Sequence, residues 1–145
     1  MTASEAALLS RLEQTIRRNL LFNQNDTVIV AISGGADSTA LLDLLSKLPG
    51  YGLRLIAAHL NHCLRGSESD TDEEFCRQLA GRYMIPFESR RVDVKGLAES
   101  GRLNLEDAGR RARIVFLDEV SGRYEAAAVA LAHHSDDQAE TLLMR

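Results

Sequence analysis

The chain has 145 residues, 45% of them hydrophobic, the size of one domain that buries roughly 68–70% of its unfolded surface around a single core. A formal net charge of −4 and a pI of about 5.6 argue against a general nucleic-acid binder, which ordinarily carries a basic footprint, so any such contact must be local. The longest apolar run, Ala126 to Ala132, has seven residues, far short of the ~18 of a bilayer span, and no signal pattern follows Met1, so no membrane partner and a cytoplasmic location are expected.

Thr2 with Glu5 forms a capping box, and Ala7, Leu8, Leu12, Ile16 and Leu20 recur at helical spacing, predicting a helix as far as Leu21. After a polar break at Asn23 to Asp26, the β-branched run Thr27 to Ile32 reads as a buried strand. A helix over Ser38 to Leu48 is stopped by Pro49-Gly50. Strands near Leu53–Leu60, Pro86–Val92 and Ala126–Ala132 then alternate with helices near Asp70–Met84, Asn104–Val120 and from Asp136 onward. That alternation predicts an α/β fold with a doubly wound parallel sheet and right-handed crossovers. Thr141 to Arg145 lies within an amphipathic helical pattern that has no cap or stop, so the chain is expected to be a truncated piece of a longer one.

Ser33-Gly34-Gly35-Ala36-Asp37-Ser38 joins the first strand to its helix. Backbone N–H groups and the helix dipole favour an anion there, and two glycines allow close approach to phosphate oxygens. Ser33 and Ser38 can donate hydroxyl hydrogen bonds, and Asp37 makes sense if it holds a Mg²⁺ that bridges to the phosphates. The loop is neither GxxxxGK[ST] nor GxGxxG, which weakens Walker-type and dinucleotide readings. The plainer alternative is a ligand-free turn capped by Ser38.

His59-Leu60-Asn61-His62-Cys63-Leu64-Arg65-Gly66 follows the second strand, at the carboxyl edge where open α/β sheets bind ligands. Zinc at His59, His62 and Cys63 lacks a clear fourth ligand, and a solvated loop is the other alternative. Glu68, Asp70, Asp72, Glu73 and Glu74 read as structural, complementing the dipole of the next helix. Cys63 and Cys76 offer no CxxC pair and read as free thiols.

From Arg90 to Arg113, seven basic residues face four acids, a local +3 where a phosphate-rich partner could touch, although a solvated face with a Glu106/Arg110 pair explains much of it. Asn104 to Arg113 opens a helix on which Arg110 and Arg113 share a face. In His133-His134-Ser135-Asp136-Asp137-Gln138-Ala139-Glu140-Thr141, Asp137 and Glu140 share a face of the expected helix. If the fourth strand neighbours the first, its loop meets the phosphate loop and brings Asp137 near Asp37 as a second metal ligand. Service as helix caps alone is the alternative for these acids.

SGGADS resembles the SGGxDS signature of the PP-loop ATPases, which split ATP between its α and β phosphates. With HLNHCLRG, NLEDAGRRAR and LAHHSDDQAET following in order, the chain from Val28 onward resembles the tRNA(Ile)-lysidine synthases of that superfamily. The resemblance implies a Rossmann-like fold of the adenine nucleotide alpha hydrolase type, with residues 1–145 a single N-terminal PP-loop domain and the C-terminal tRNA-gripping regions absent. It implies an ATP- and Mg²⁺-dependent ligase that adenylates the wobble cytidine of tRNA(Ile) with a CAU anticodon, after which L-lysine displaces AMP. By position, Ser33, Gly34, Gly35, Ala36 and Ser38 fall on the phosphate loop and Asp37 and Asp137 on the metal-binding aspartates. Arg113 falls beside the cytidine or its adenylate, Glu140 where lysine is oriented or deprotonated, and His133 in the same pocket. Cys63 and Gly109 depart from the expected glycine and alanine, which bears on local packing. A homodimer is left open. A tRNA sulfurtransferase and a non-catalytic nucleotide-binding module are the rival readings.

Overall fold

A computed structural model describes residues 2–19, 22–135 and 138–144, with side chains described for residues 2–14 and 22–132. In chain order the elements are α1 (Ala3–Asn19), β1 (Thr27–Ala31), α2 (Ala36–Ser46), β2 (Arg54–Asn61), α3 (Ser67–Arg82), β3 (Phe87–Arg91), α4 (Val94–Gly101), α5 (Leu105–Tyr124), β4 (Ala128–Ser135) and β5 (Gln138–Met144). The predicted capping box forms at the start of α1: Glu5 N–H donates to Thr2 Oγ1 at 3.1 Å and Thr2 N–H to Glu5 Oε2 at 3.2 Å.

The sheet order is β3-β2-β1-β4-β5. The first four strands run parallel, with Val28 opposite Leu55 on one side and Ala128 on the other. Because side chains alternate along a strand, Val28, Val30 and Ile32 pack with Leu41, Leu42 and Leu45 of α2 and with Cys76, Leu79 and Ala80 of α3. Ile29, Ile56 and Val129 pack with Phe116, Leu117 and Val120 of α5 on the opposite face. Both faces are thus covered, as a parallel sheet requires, and the continuous apolar strands β1 and β2 are the sequence imprint of that burial. Among the described residues no helix is long and apolar enough to cross a membrane.

Two elements depart from the sequence reading. The expected helix after Asp136 is instead strand β5, antiparallel to β4 with Ala132 opposite Thr141 and His133 opposite Glu140. Helix propensity in Gln138–Met144 is outweighed because pairing satisfies the backbone N–H and C=O groups along the open edge of β4. Helix α4 has no counterpart in the reading. Its two glycines lower local propensity, and it is held by Asp93, which caps Gly96 N–H at 3.0 Å, and by packing of Val94 and Ala98 on Ala108.

Candidate functional site

The phosphate loop is tied to itself. Ser33 N–H donates to Ser38 Oγ at 3.0 Å, Ser38 Oγ donates to Gly35 O at 3.2 Å, and Gly35 N–H reaches Ser33 Oγ at 3.3 Å. With the Ser38 hydroxyl hydrogen on Gly35 O, Ser33 Oγ is the donor in the 3.2 Å contact between the two hydroxyls. Gly34 has φ +90°, a left-handed conformation that disfavours any side chain. The N-cap of α2 is Gly35, without a side-chain cap, so the Ser38 cap of the plainer alternative does not form: Ser38 lies inside the helix and braces the loop. No capping side chain occupies the first-turn N–H groups of α2, which is the arrangement an anion requires there. Asp37 sits half-buried in that turn.

Beside the loop opens a cavity of about 260 Å³. It lies at the carboxyl ends of β1, β2 and β4, where the chain, having wound toward β3, returns to the other side of β1, and it is closed by α5. Ser33, Ser38, His59, Asn61, His62, Arg65 and Arg113 supply its polar wall, and Phe116, Leu117 and Leu131 its apolar wall. Arg90 stacks on Phe116, with its guanidinium 5.2 Å from the ring centre, and pairs with Glu119.

The β2 end of this wall is rigidly held. His59 Nδ1–H donates to Ile32 O at 2.8 Å, fixing the residue between the end of β1 and the phosphate loop. Asn61, fully buried, donates from Nδ2 to Asp70 Oδ1 (3.0 Å) and Glu73 Oε1 (3.1 Å), while its Oδ1 accepts Cys63 N–H at 2.9 Å. Buried Glu73 also receives Arg77 at 3.2 Å and Arg91 at 3.3 Å. His62 Nδ1 is sealed from solvent with no hydrogen-bond partner among the described residues. Burial first, then the charge of Arg113 and the neighbouring His59, pushes the His62 pKa below its ordinary 6.5, so the ring is held neutral and Arg113 is the cation at that wall.

Of the predicted residues, Ser33, Ser38 and Arg113 line one cavity, and Gly34, Gly35, Ala36 and Asp37 form the loop and first helical turn at its rim. β4 does neighbour β1, as the switch-point argument required. The common helical face expected for Asp137 and Glu140 is not formed, since Glu140 belongs to β5. Asp137, and the side chains of His133 and Glu140, lie outside the described residues. The expected Glu106/Arg110 pair is replaced by Arg110 with Asp107 at 3.1 Å. Of the five acids read as dipole partners, Glu68 and Asp70 do lie in the first turn of α3, but Asp70 and Glu73 also hold Asn61 and Asp72 pairs with Arg65. Among the described residues no group of three His, Cys, Asp or Glu is placed to hold a metal, and His59 Nδ1 is committed to Ile32, so the zinc alternative finds no support. Asn61 and Arg65 were given no individual role in the sequence reading, and His62 entered only through the zinc alternative; their position at the end of a buried strand and just past it was the available signal.

A family model described as a PP-loop domain matches residues 5–145. The chain is similar to a tRNA(Ile)-lysidine synthase of Geobacter sulfurreducens, 55% identical over 139 residues, covering 96% of this chain and 30% of that protein. A tRNA(Ile)-lysidine synthase of Clostridium acetobutylicum is 43% identical over 132 residues, covering 90% of this chain and 29% of that one. The chain thus spans about 30% of the length of these relatives. Among solved structures, a U34-tRNA thiolase of Methanococcus maripaludis shares the fold at a TM-score of 0.66 and 21% identity, over 88% of this chain and 45% of that one. With the Ser33–Ser38 segment leading from β1 into α2, and the family model matched over residues 5–145, this chain belongs to the PP-loop domain family.

Proposed function

We propose that these 145 residues are the nucleotide-activating domain of a tRNA(Ile)-lysidine synthase, an ATP-dependent carbon–nitrogen ligase acting in the cytoplasm on the CAU-anticodon isoleucine tRNA. The observation that carries this reading is the cavity in which the phosphate loop's Ser33 and Ser38 meet Arg113 of α5, in a chain 55% identical to an enzyme of that name. In the first step the C2 oxygen of the wobble cytidine attacks the α-phosphorus of ATP and pyrophosphate leaves with the electrons of the broken P–O bond. In the second, the ε-amine of L-lysine attacks C2 and AMP departs. Adenylation is required because an amide-like oxygen is by itself a poor leaving group.

Gly34, Gly35 and the first-turn amides of α2, with Ser33 and Ser38, would cradle the phosphates before and after cleavage. Arg113 would offset charge at the adenylated cytidine, in a wall where neutral His62 does not compete with it. We assign Glu140 to orienting or deprotonating the lysine ammonium and His133 to lining the same pocket. Mg²⁺ fits the residues at the rim, because a hard cation of this kind needs only one or two carboxylates beside substrate phosphates and waters, and Asp37 supplies one in the first turn of α2. We assign Asp137 as the other. When bound, the ion supplies charge neutralisation for the departing pyrophosphate. A sulfur-transfer reading is not favoured: Cys63 and Cys76 form no CxxC pair, and burial, then Asp72 and Glu73, pushes the Cys76 thiol up to about 12.

We assign tRNA grip to parts of a full-length enzyme beyond these residues, in line with the net charge of −4, and expect the 145 residues alone to be inactive. Full-length protein given tRNA(Ile), ATP and labelled lysine should incorporate lysine into the tRNA with release of AMP and pyrophosphate. Failure to form AMP with both co-substrates present overturns the reading. Asp37→Asn should lower AMP formation by roughly a hundredfold or more with the circular dichroism spectrum unchanged, and undiminished turnover would remove the metal role.

A further inference from the structure

A nucleoside triphosphate is a polyanion, yet the loop that receives it contains no cation and includes Asp37. A second carboxylate stands close by: the Asp72 side chain lies 3.7 Å from where a Cβ on Gly34 would be. Among the described residues that line the cavity, the positive charges are Arg65 and Arg113. Arg113 comes from α5, and its charge acts on His62. Arg65 is on the loop side, because its Nη2 is 3.0 Å from Asp72 Oδ2. Its backbone is pinned by donation from its N–H to Ser69 Oγ at 3.1 Å, while its side chain remains 64% exposed and can swing. Its carboxylate partners, Asp72 and Glu68 (3.5 Å), are 40% and 71% exposed. Such solvated pairs hold weakly, whereas a phosphate offers the planar guanidinium two parallel charge-assisted bonds.

We propose that Arg65 is a binding residue for the outer phosphates of the nucleoside triphosphate and for the departing pyrophosphate, and that it exchanges Asp72 for them. The proposal rests on the ATP-cleaving reading above. Asp72 is then a positioning residue: it stores the guanidinium beside Gly34 while the loop is empty, and it competes with the phosphates for it.

Titration calorimetry of the full-length protein with ATP, inorganic pyrophosphate and AMP separates the possibilities. Arg65→Ala should weaken ATP and pyrophosphate by roughly tenfold to a hundredfold and leave AMP unchanged, with Arg65→Lys between it and the wild type. Asp72→Asn should tighten ATP and pyrophosphate severalfold, a gain that a purely structural role for the pair would not produce. If the wild type binds ATP and pyrophosphate but Arg65→Ala changes neither, or weakens AMP equally, the role of Arg65 is overturned and the ATP-cleaving reading stands. Weaker ATP binding in Asp72→Asn, matching Arg65→Ala, would make the pair a loop staple and overturn the exchange. If the wild type binds neither ATP nor pyrophosphate, both fall together.

Discussion

Cys63 has φ +57°, in the left-handed region where a Cβ crowds the following carbonyl. It is held there because the buried Asn61 accepts its N–H, so the strain comes with the bonding that aims His62 and Arg65 at the cavity. Glycine would adopt this backbone without strain but would add freedom to the unfolded chain, so Cys63→Gly should stabilise the protein by about 0.5 kcal/mol. Gly109 is the reverse case. It lies inside α5, and a Cβ there would meet His62 Nδ1 at 3.7 Å, an ordinary contact. Gly109→Ala should therefore add about 1 kcal/mol through helix propensity. Urea unfolding of both variants checks the pair, and destabilisation in either would refute the corresponding account. Both positions stood out in the sequence as departures from a familiar pattern, but only the backbone angle and the neighbour of Gly109 show that one is strained and the other merely unfilled.

At the level of elements, α3 does more than cover the sheet. Its Glu73 joins the buried amide of Asn61 on β2 to Arg77 and to Arg91 on β3, and so sets the loop that forms the cavity wall. Glu73→Leu would leave that amide with one fewer acceptor and two guanidinium groups without their shared carboxylate. Its expected cost is about 2 kcal/mol, read as a lower urea midpoint at unchanged slope. A shift too small to resolve would show that Asp70 and solvent suffice. The sequence reading gave Glu73 only a part in the helix dipole, since a run of acids looks alike until β2 and β3 are laid beside it. The same limit applies to α4 and β5. The first is weak in local propensity and exists by packing on α5, and the second is a helix-forming segment drawn to the edge of β4.

Across the whole molecule, one polar chain ties the three helices of a single face. Lys47 bridges Asp43 on α2 (2.9 Å) and Glu5 on α1 (3.0 Å), and Asp43 accepts the hydroxyl of Tyr83, just past α3, at 2.6 Å. Chiefly through the Tyr83 hydrogen bond and then Lys47, the Asp43 pKa is held below its ordinary 3.8. A carboxyl depressed by folding contributes stability that is present above its unfolded value and is lost as the pH falls through its folded one. Tyr83→Phe should therefore cost about 1 kcal/mol near neutral pH and much less near about pH 2, followed as thermal midpoint against pH. Parallel curves for variant and wild type across that range would sink the linkage.

The sequence by itself determined the alternation of strands and helices, the two-sided burial of the parallel sheet and the phosphate loop between β1 and α2. Each is a local matter of apolar period, capping residues and paired glycines. Only the tertiary structure decided that β4 lies beside β1, that Arg113 and Ser33 line one cavity, that Asn61 is the buried tie behind it, and that Arg65 pairs with Asp72 close to Gly34. Those facts join residues distant along the chain, and pairing across a sheet follows from which apolar faces and open backbone groups meet, which no local pattern encodes.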